Sequence, residues 1–113
     1  MSDHAWVKGF PASITVCDTE GIVLEMNDAA LEVFRDDGGE KLLGTNLLDC
    51  HPQNARALLE RMMVNQQTNT YTIEKGGKKK LIFQTPWYKD GQYAGFIELS
   101  VVIPFEMPHF IRD

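Results

Sequence analysis

The fold of this chain is decided by TYTIEKGGKKKLIFQTPWYKDGQYAGFIELSVVI, residues 70–103. Apolar and polar side chains alternate along three segments of this stretch, as they do in strands. The segments are residues 70–75, 80–89 and 92–103. Gly76-Gly77 and Asp90-Gly91 separate them, and both pairs are typical of tight hairpin turns. Strands joined by such short turns run antiparallel, so the sequence predicts a three-stranded meander.

Prolines mark irregularities and limits in this meander. Pro86 interrupts the second strand, where we expect a local irregularity or an unpaired N–H position. Pro104 and Pro108 follow the third strand and disfavour further pairing, so the sheet is expected to stop near residue 103.

A second hairpin precedes the meander. Residues 13–18 and 22–26 have strand patterns, and Thr19-Glu20-Gly21 between them has turn chemistry. Asn27 or Asp28 then offers an N-cap for a helix that runs through Phe34. The breaker at residues 36–39, Asp-Asp-Gly-Gly, ends that helix.

The middle of the chain is predicted to be helical. Between residues 40 and 52 we expect one or two short helical turns that roof a cleft. Pro52 suits the first position of a longer helix. That helix has a core-facing stripe at positions i, i+3, i+4, i+7 and i+8, which are Ala55, Leu58, Leu59, Met62 and Met63.

Composition limits the class of protein. The chain has 113 residues, 43% hydrophobic and 24% charged, which predicts one globular domain over residues 1–113 with a core at about 12–103 and short tails. Its net charge of −5 disfavours nucleic acid and anionic membranes as partners. No stretch approaches the ~20 apolar residues of a membrane span, and no export signal is visible, so we expect a cytoplasmic protein with free thiols.

Several short motifs, in this order and spacing, resemble a PAS domain. They are Ile14-x-Val16-x-Asp18-x-x-Gly21-x-Val23, Asn27-x-Ala29-Ala30 with Phe34, Gly44 with Leu47-Leu48, and Gly91-x-Tyr93-x-Gly95-Phe96-Ile97-Glu98. Asp49-Cys50-His51-Pro52 further resembles a bacterial PAS subgroup that has this stretch before its long helix.

The resemblance implies an α+β fold, with a five-stranded antiparallel sheet that carries short helices and one longer helix on one face. It also implies a sensory or regulatory module that binds a small molecule and signals through protein–protein contact. The chain ends about ten residues after the last strand, so we expect its output to run through a separate effector protein. The alternative is a constitutive dimerisation or interaction module with a filled core and no ligand.

Most of the candidate pocket residues are apolar, which favours a small apolar or aromatic ligand. The same side chains also suit a closely packed core, so both interpretations stay open. The candidates are Asn27, Phe34, Leu42, Leu47, Cys50, His51, Leu58, Met62, Phe83, Thr85, Ile97 and Leu99.

Cys50 and His51 have three interpretations, in decreasing order of expectation. Asp49 or His51 caps the following helix while Cys50 packs as a small apolar group. The pair contacts a ligand or has a redox role. His51 ligates haem. Asn27 likewise either caps its helix or reaches a ligand, and capping is favoured.

Enzymatic and photosensory roles find no support in the sequence. The chain lacks a glycine-rich phosphate loop, a metal-spaced His/Glu cluster and a nucleophile–base pair that the sequence can place together, so we expect no enzyme. The cysteine motif of flavin-binding PAS photoreceptors is also absent, and the identity of any cofactor stays open.

Apolar side chains at the two ends of the chain suggest a homodimer contact on the open sheet face. They are Trp6, Val7, Phe10, Phe105, Met107, Phe110 and Ile111. The alternative is that both ends pack on their own domain.

Overall fold

A computed structural model of the chain describes residues 4–50 and 52–113. The described residues form three α-helices, three short 3₁₀ helices and five strands. In chain order these are α1 (Ala5–Lys8), β1 (Ser13–Cys17), β2 (Val23–Met26), α2 (Asp28–Val33), the 3₁₀ helices Arg35–Asp37, Gly39–Leu42 and Leu47–Cys50, α3 (Gln53–Asn65), β3 (Asn69–Lys75), β4 (Lys78–Lys89) and β5 (Gln92–Ile103).

The strands form one antiparallel sheet in the order β2-β1-β5-β4-β3. This confirms the predicted α+β class, the meander and the N-terminal hairpin, and it places the first strand beside the last. The irregularity expected at Pro86 is a register shift between Trp87 and Tyr88, directly after the proline. Pro86 itself stays within β4 opposite Phe96, so it does not end the strand.

The register assigns side chains to the two faces of the sheet, because directly opposed residues of antiparallel strands share a face. One row is Thr15, Glu98, Gln84 and Asn69, from β1, β5, β4 and β3. The row one residue further along, on the opposite face, contains Ile14, Leu99 and Phe83. We call the face of Thr15 and Glu98 the inner face, since the helices cover it, and the other the outer face.

Local capping explains where the helices begin. The Asn27 side chain accepts a hydrogen bond from the Ala30 N–H at 3.0 Å, which is the N-cap of α2 that the sequence predicts. Pro52 differs from the prediction, because it has extended backbone angles and precedes the first residue of α3. Asp49, a predicted cap of α3, accepts instead from Arg56 Nη1 at 3.3 Å.

The interior contains two apolar clusters. One joins Cys17 and Phe96 of the sheet to Met62 and Met63 of α3. The other joins Val23 and Met26 of β2 to Ala30 of α2. Leu47 packs against both clusters, and a cavity opens between them.

Candidate functional site

A cavity of about 460 Å³ lies between the inner face of the sheet and the helical segments. Its volume is within the range of small-molecule sites. Most of its wall is apolar, formed by Cys17, Val23, Met26, Phe34, Leu42, Leu47, Leu59, Phe96 and Ile97. Polar groups are fewer, and they are Thr15, Asp37, Thr45, Gln84 and Glu98.

Three of these polar residues come from one row of the sheet, and the hydrogen bonds along it run in one direction. The Asn69 amide donates to Gln84 Oε1 at 3.3 Å, and the Gln84 amide donates to Glu98 Oε1 at 2.7 Å. The chain of donors therefore ends at the Glu98 carboxylate. We call Thr15, Glu98, Gln84 and Asn69 the polar row.

Thr15 continues the polar row on the other side of Glu98. Its Oγ1 is shielded from solvent and has no hydrogen-bond partner within residues 4–50 and 52–113. Buried hydroxyls normally have a partner, and an unpaired one costs free energy. The hydroxyl beside this cavity is thus an unsatisfied group.

Two further groups report the electrostatics of the inner face. Burial raises the pKa of the Tyr71 phenol, and the charge of Glu98 raises it further. Burial also raises the pKa of the Cys17 thiol; a backbone hydrogen bond from Phe96 opposes this shift and the charge of Asp18 adds to it. Cys17 therefore contributes a neutral, weakly polar thiol to the cavity wall.

Asn27 has a structural role. The amide is buried, with 3% of the residue exposed, and its oxygen accepts from the N–H groups of Ile14 and Ala30. Its nitrogen donates to the carbonyls of Val7, Phe10 and Ala12 at 2.8 to 3.3 Å. These bonds use the hydrogen-bonding capacity of the amide, so Asn27 ties the N-terminal segment to β1 and α2.

The structure brings four of the predicted pocket residues to the cavity, namely Phe34, Leu42, Leu47 and Ile97. Met62 lies behind the wall, in the cluster with Cys17 and Phe96. The prediction is wrong for Leu58, which is 46% exposed on α3, whereas Leu59 of the same predicted stripe lines the cavity. His51 and the Cys50 side chain lie outside the described residues, and their roles stay predictions.

Phe83, Thr85 and Leu99 require a larger correction. Register pairs Phe83 with Leu99 and Thr85 with Ile97, so the prediction that these side chains share a face is right. That face is the outer one, since the alternate residues Gln84 and Glu98 line the cavity. Ile97 also borders the cavity, although the register places its side chain on the outer face, between the lining residues Phe96 and Glu98. The Thr85 hydroxyl is 2.9 Å from the hydroxyl of Thr68, away from the cavity. The alternation of the sequence predicts which side chains share a face of the sheet. It does not predict which of the two faces the helices cover.

The sequence reasoning missed the polar row and the whole of the cavity wall from β1 and β2. The missed lining residues are Thr15, Cys17, Val23, Met26, Asp37, Thr45, Leu59, Gln84, Phe96 and Glu98. One signal was available, because Gln84 and Glu98 interrupt apolar strands at positions that a hairpin brings near each other.

Metal and membrane roles receive no structural support in the described part of the chain. Among its residues, no group of three His, Cys, Asp or Glu side chains is placed to hold a metal ion. The histidines at positions 4 and 109 are exposed, near the chain ends. No helix over residues 4–50 and 52–113 is long and apolar enough to cross a membrane.

Solved PAS domains share this architecture. The PAS domain of Bordetella pertussis BvgS matches with a TM-score of 0.63 and 22% identity, over 88% of this chain and 82% of that one. The PAS domain of the histidine kinase ThkA matches with a TM-score of 0.62 and 20% identity, over 79% and 96%. The Aer2 receptor of Vibrio cholerae, a dual PAS-heme oxygen sensor, matches with a TM-score of 0.58 and 20% identity, over 82% and 95%.

No family model and no curated protein matches the sequence. The structural similarity at this level of identity shows the fold, so the chain adopts the α+β PAS fold.

Proposed function

We propose that this PAS-fold domain is a sensory or regulatory module that binds a small molecule and signals through contact with a separate effector protein. The observation that carries the proposal is the cavity of about 460 Å³ on the inner face. A normal interior is closely packed, and the filled core of a purely structural module leaves no space of this size. The cavity therefore favours ligand binding over the interaction module with a filled core.

The wall chemistry supports the same function. Binding sites are typically apolar with a few converging polar groups, and here a mostly apolar wall surrounds the polar row. Since Phe34, Leu42 and Leu47 come from the helical segments, a ligand bound between them and the sheet contacts the two layers at once. Such a ligand can shift the equilibrium between arrangements of the two layers, provided that it binds one more tightly than the other.

The second part of the proposal is a homodimer built on the outer face. Seven apolar side chains cover the centre of this face and are half-buried in the isolated chain; they are Ile14, Val16, Leu81, Phe83, Ile97, Leu99 and Val101. We call them the outer patch. A two-fold interface places the same patch on both partners, which suits an apolar surface.

The proposal includes a cytoplasmic location and no enzymatic activity, no nucleic acid and no membrane as partner. The net charge of −5 supports the exclusion of polyanionic partners. The raised pKa of the Cys17 thiol supports binding without turnover, since a neutral thiol is a weak nucleophile.

The direct test compares two tryptophan substitutions on α3. Leu59→Trp adds volume to a side chain that lines the cavity, whereas Leu58→Trp changes the adjacent, 46% exposed position. Native mass spectrometry and an absorption spectrum are recorded on both variants and on the unmodified protein as purified. We expect extra bound mass or an absorption band on the unmodified protein and on Leu58→Trp, and its loss in Leu59→Trp.

A bare polypeptide mass for all three proteins, with no mass gained after incubation with a small-molecule extract, would contradict the ligand-binding function. Retention of the bound mass by Leu59→Trp would place the ligand elsewhere. Circular dichroism of both variants controls for folding.

A further inference from the structure

We propose that the cavity selects a cationic amphiphile, which is a ligand with an apolar body and a protonated amine that binds the Glu98 carboxylate. This inference rests on the proposed ligand-binding function and specifies the chemical class of the ligand.

The hydrogen bonds of the polar row all point toward Glu98. Asn69 donates to Gln84, and Gln84 donates to Glu98, so each amide of the row is turned toward the carboxylate. A carboxylate offers about four acceptor sites, and this row uses one of them. The inner face therefore presents hydrogen-bond acceptors at Glu98, and the group that complements them is a donor.

The charges on the cavity wall also favour a cationic ligand. Glu98 and Asp37 both line the cavity, and no Lys or Arg of the described residues does. The ion pairs within residues 4–50 and 52–113 lie elsewhere, at Lys8, Arg35 and Arg56. The Glu98 carboxylate has no cationic partner among the described residues, and a ligand ammonium group would supply one. A ligand carboxylate would instead meet two like charges.

The apolar part of the cavity wall determines the rest of the ligand. Next to Glu98 the sheet presents Phe96, and the helical segments present Phe34, Leu42 and Leu47. A free ammonium ion would leave this apolar surface uncovered, so binding energy requires an aromatic or aliphatic body. The juxtaposition of the Glu98 carboxylate with an apolar chamber defines the ligand class.

The test uses three probes that share an aromatic ring and differ at the polar end. These are 2-phenylethylamine, 2-phenylethanol and 3-phenylpropionate, titrated into the full chain by calorimetry at neutral pH. A charge-assisted hydrogen bond is stronger than a neutral one, so we expect the amine to bind roughly tenfold or more tightly than the alcohol. The acid is expected to bind more weakly than the alcohol.

Two charge-matched variants locate the effect. Glu98→Gln removes the charge but keeps an oxygen to accept from Gln84, and it should lower the amine affinity roughly tenfold while leaving the alcohol unchanged. Glu25→Gln makes the same change in net charge at an exposed residue of β2 opposite Val16, on the outer face, and should leave all three affinities unchanged.

The outcomes separate this inference from the proposed function. If the alcohol or the acid binds as tightly as the amine, or if Glu98→Gln behaves like Glu25→Gln, the inference is overturned and the ligand-binding function stands. If none of the three probes binds, the inference is overturned as well, and the bound mass measured on Leu59→Trp and Leu58→Trp then decides the proposed function by itself.

Discussion

The two faces of the sheet differ in their side chains and in what covers them. The inner face, which the helices cover, carries the polar row and a cavity. The outer face, which the helices leave open, carries the apolar outer patch. In most antiparallel sheets the apolar face packs on the core and the polar face meets water. Here the polar groups of the inner face suit a ligand, and the apolar groups of the outer face suit a second protein surface.

In the isolated chain, each face of this sheet carries a free-energy cost. A cavity lined by an unpaired, shielded hydroxyl is a costly interior, because buried polar groups without partners destabilise the fold. An uncovered apolar face is costly as well, because its side chains remain partly in water. A ligand inside and a partner outside would relieve both costs, and the two sites lie back to back across one layer of backbone.

The largest effect is expected at Gly95, where the backbone of β5 lies close to the end of β1. A Cβ at this position would lie 1.9 Å from the Cys17 carbonyl oxygen, and the backbone φ of +142° is one that side chains rarely adopt. We expect Gly95→Ala to lower the free energy of unfolding by about 3 kcal/mol or more, measured by urea denaturation.

Gly91→Ala is the matched control for this substitution. Gly91 also has a positive φ, of +80°, but a Cβ there would meet nothing within 4 Å. Its cost should be only about 1 kcal/mol, from backbone strain alone. Equal effects at the two glycines would show that β1 and β5 do not approach as closely as described.

The next largest effect is expected for lysine substitutions on the two faces of β5. Val101 belongs to the outer patch, opposite Leu81, whereas Val102 points to the other face and is 53% exposed. We expect Val101→Lys to raise the dimer dissociation constant by about 100-fold or more, since it buries a charge in an apolar contact. Val102→Lys should leave it nearly unchanged. Analytical ultracentrifugation measures both, and a protein that is monomeric at every concentration would contradict the proposed dimer.

A smaller effect is expected from the Cys17 thiol on the inner face. Its folded-state pKa lies above the ordinary value of 9.0, so as the pH rises the unfolded chain releases this proton first. The stability that this thiol contributes is fully present below about pH 9 and is lost as the pH rises through the folded-state pKa. In a Cys50→Ser background, Cys17→Ala should therefore flatten the decline of stability above about pH 9. An unchanged slope of unfolding free energy against pH would contradict the burial of the thiol.

The smallest effect is expected when one threonine from each face is replaced by valine. The Thr15 hydroxyl is shielded and has no partner among the described residues, whereas the Thr85 hydroxyl is 2.9 Å from that of Thr68. Thr15→Val should leave the free energy of unfolding unchanged or raise it by up to about 1 kcal/mol, and Thr85→Val should lower it by about 0.5 to 1 kcal/mol. The opposite order in thermal denaturation would show that Thr15 has a partner in the free protein.

The sequence was sufficient for the architecture because its turns are local signals. Asp90-Gly91 and Gly76-Gly77 define the meander, and the Asn27 cap begins α2 where expected. The period of two also groups Phe83 correctly with Leu99. These features depend on residues close in sequence or on one hairpin, which is why they can be predicted.

The candidate site was predicted less well, because its lining depends on which face the helices cover. Placing the most apolar face inside assigned Phe83, Thr85 and Leu99 to the pocket, and the structure places them outside. Thr15 and Glu98 meet only because β1 pairs with β5, a contact between residues 83 positions apart that no local pattern contains. Long-range pairing is therefore the information that the sequence analysis lacked.

The most direct test is whether the inner face responds to a small apolar ligand and the outer face to a second copy of the chain. Methyl NMR spectra of the labelled chain are recorded under xenon, which enters apolar cavities, and separately across a dilution series. We predict that xenon shifts the methyl signals of Val23, Leu42 and Leu47, and that dilution shifts those of Ile14, Leu99 and Val101. If xenon instead shifts the outer patch and leaves the cavity methyls unchanged, the division of the sheet into a ligand face and a partner face is wrong.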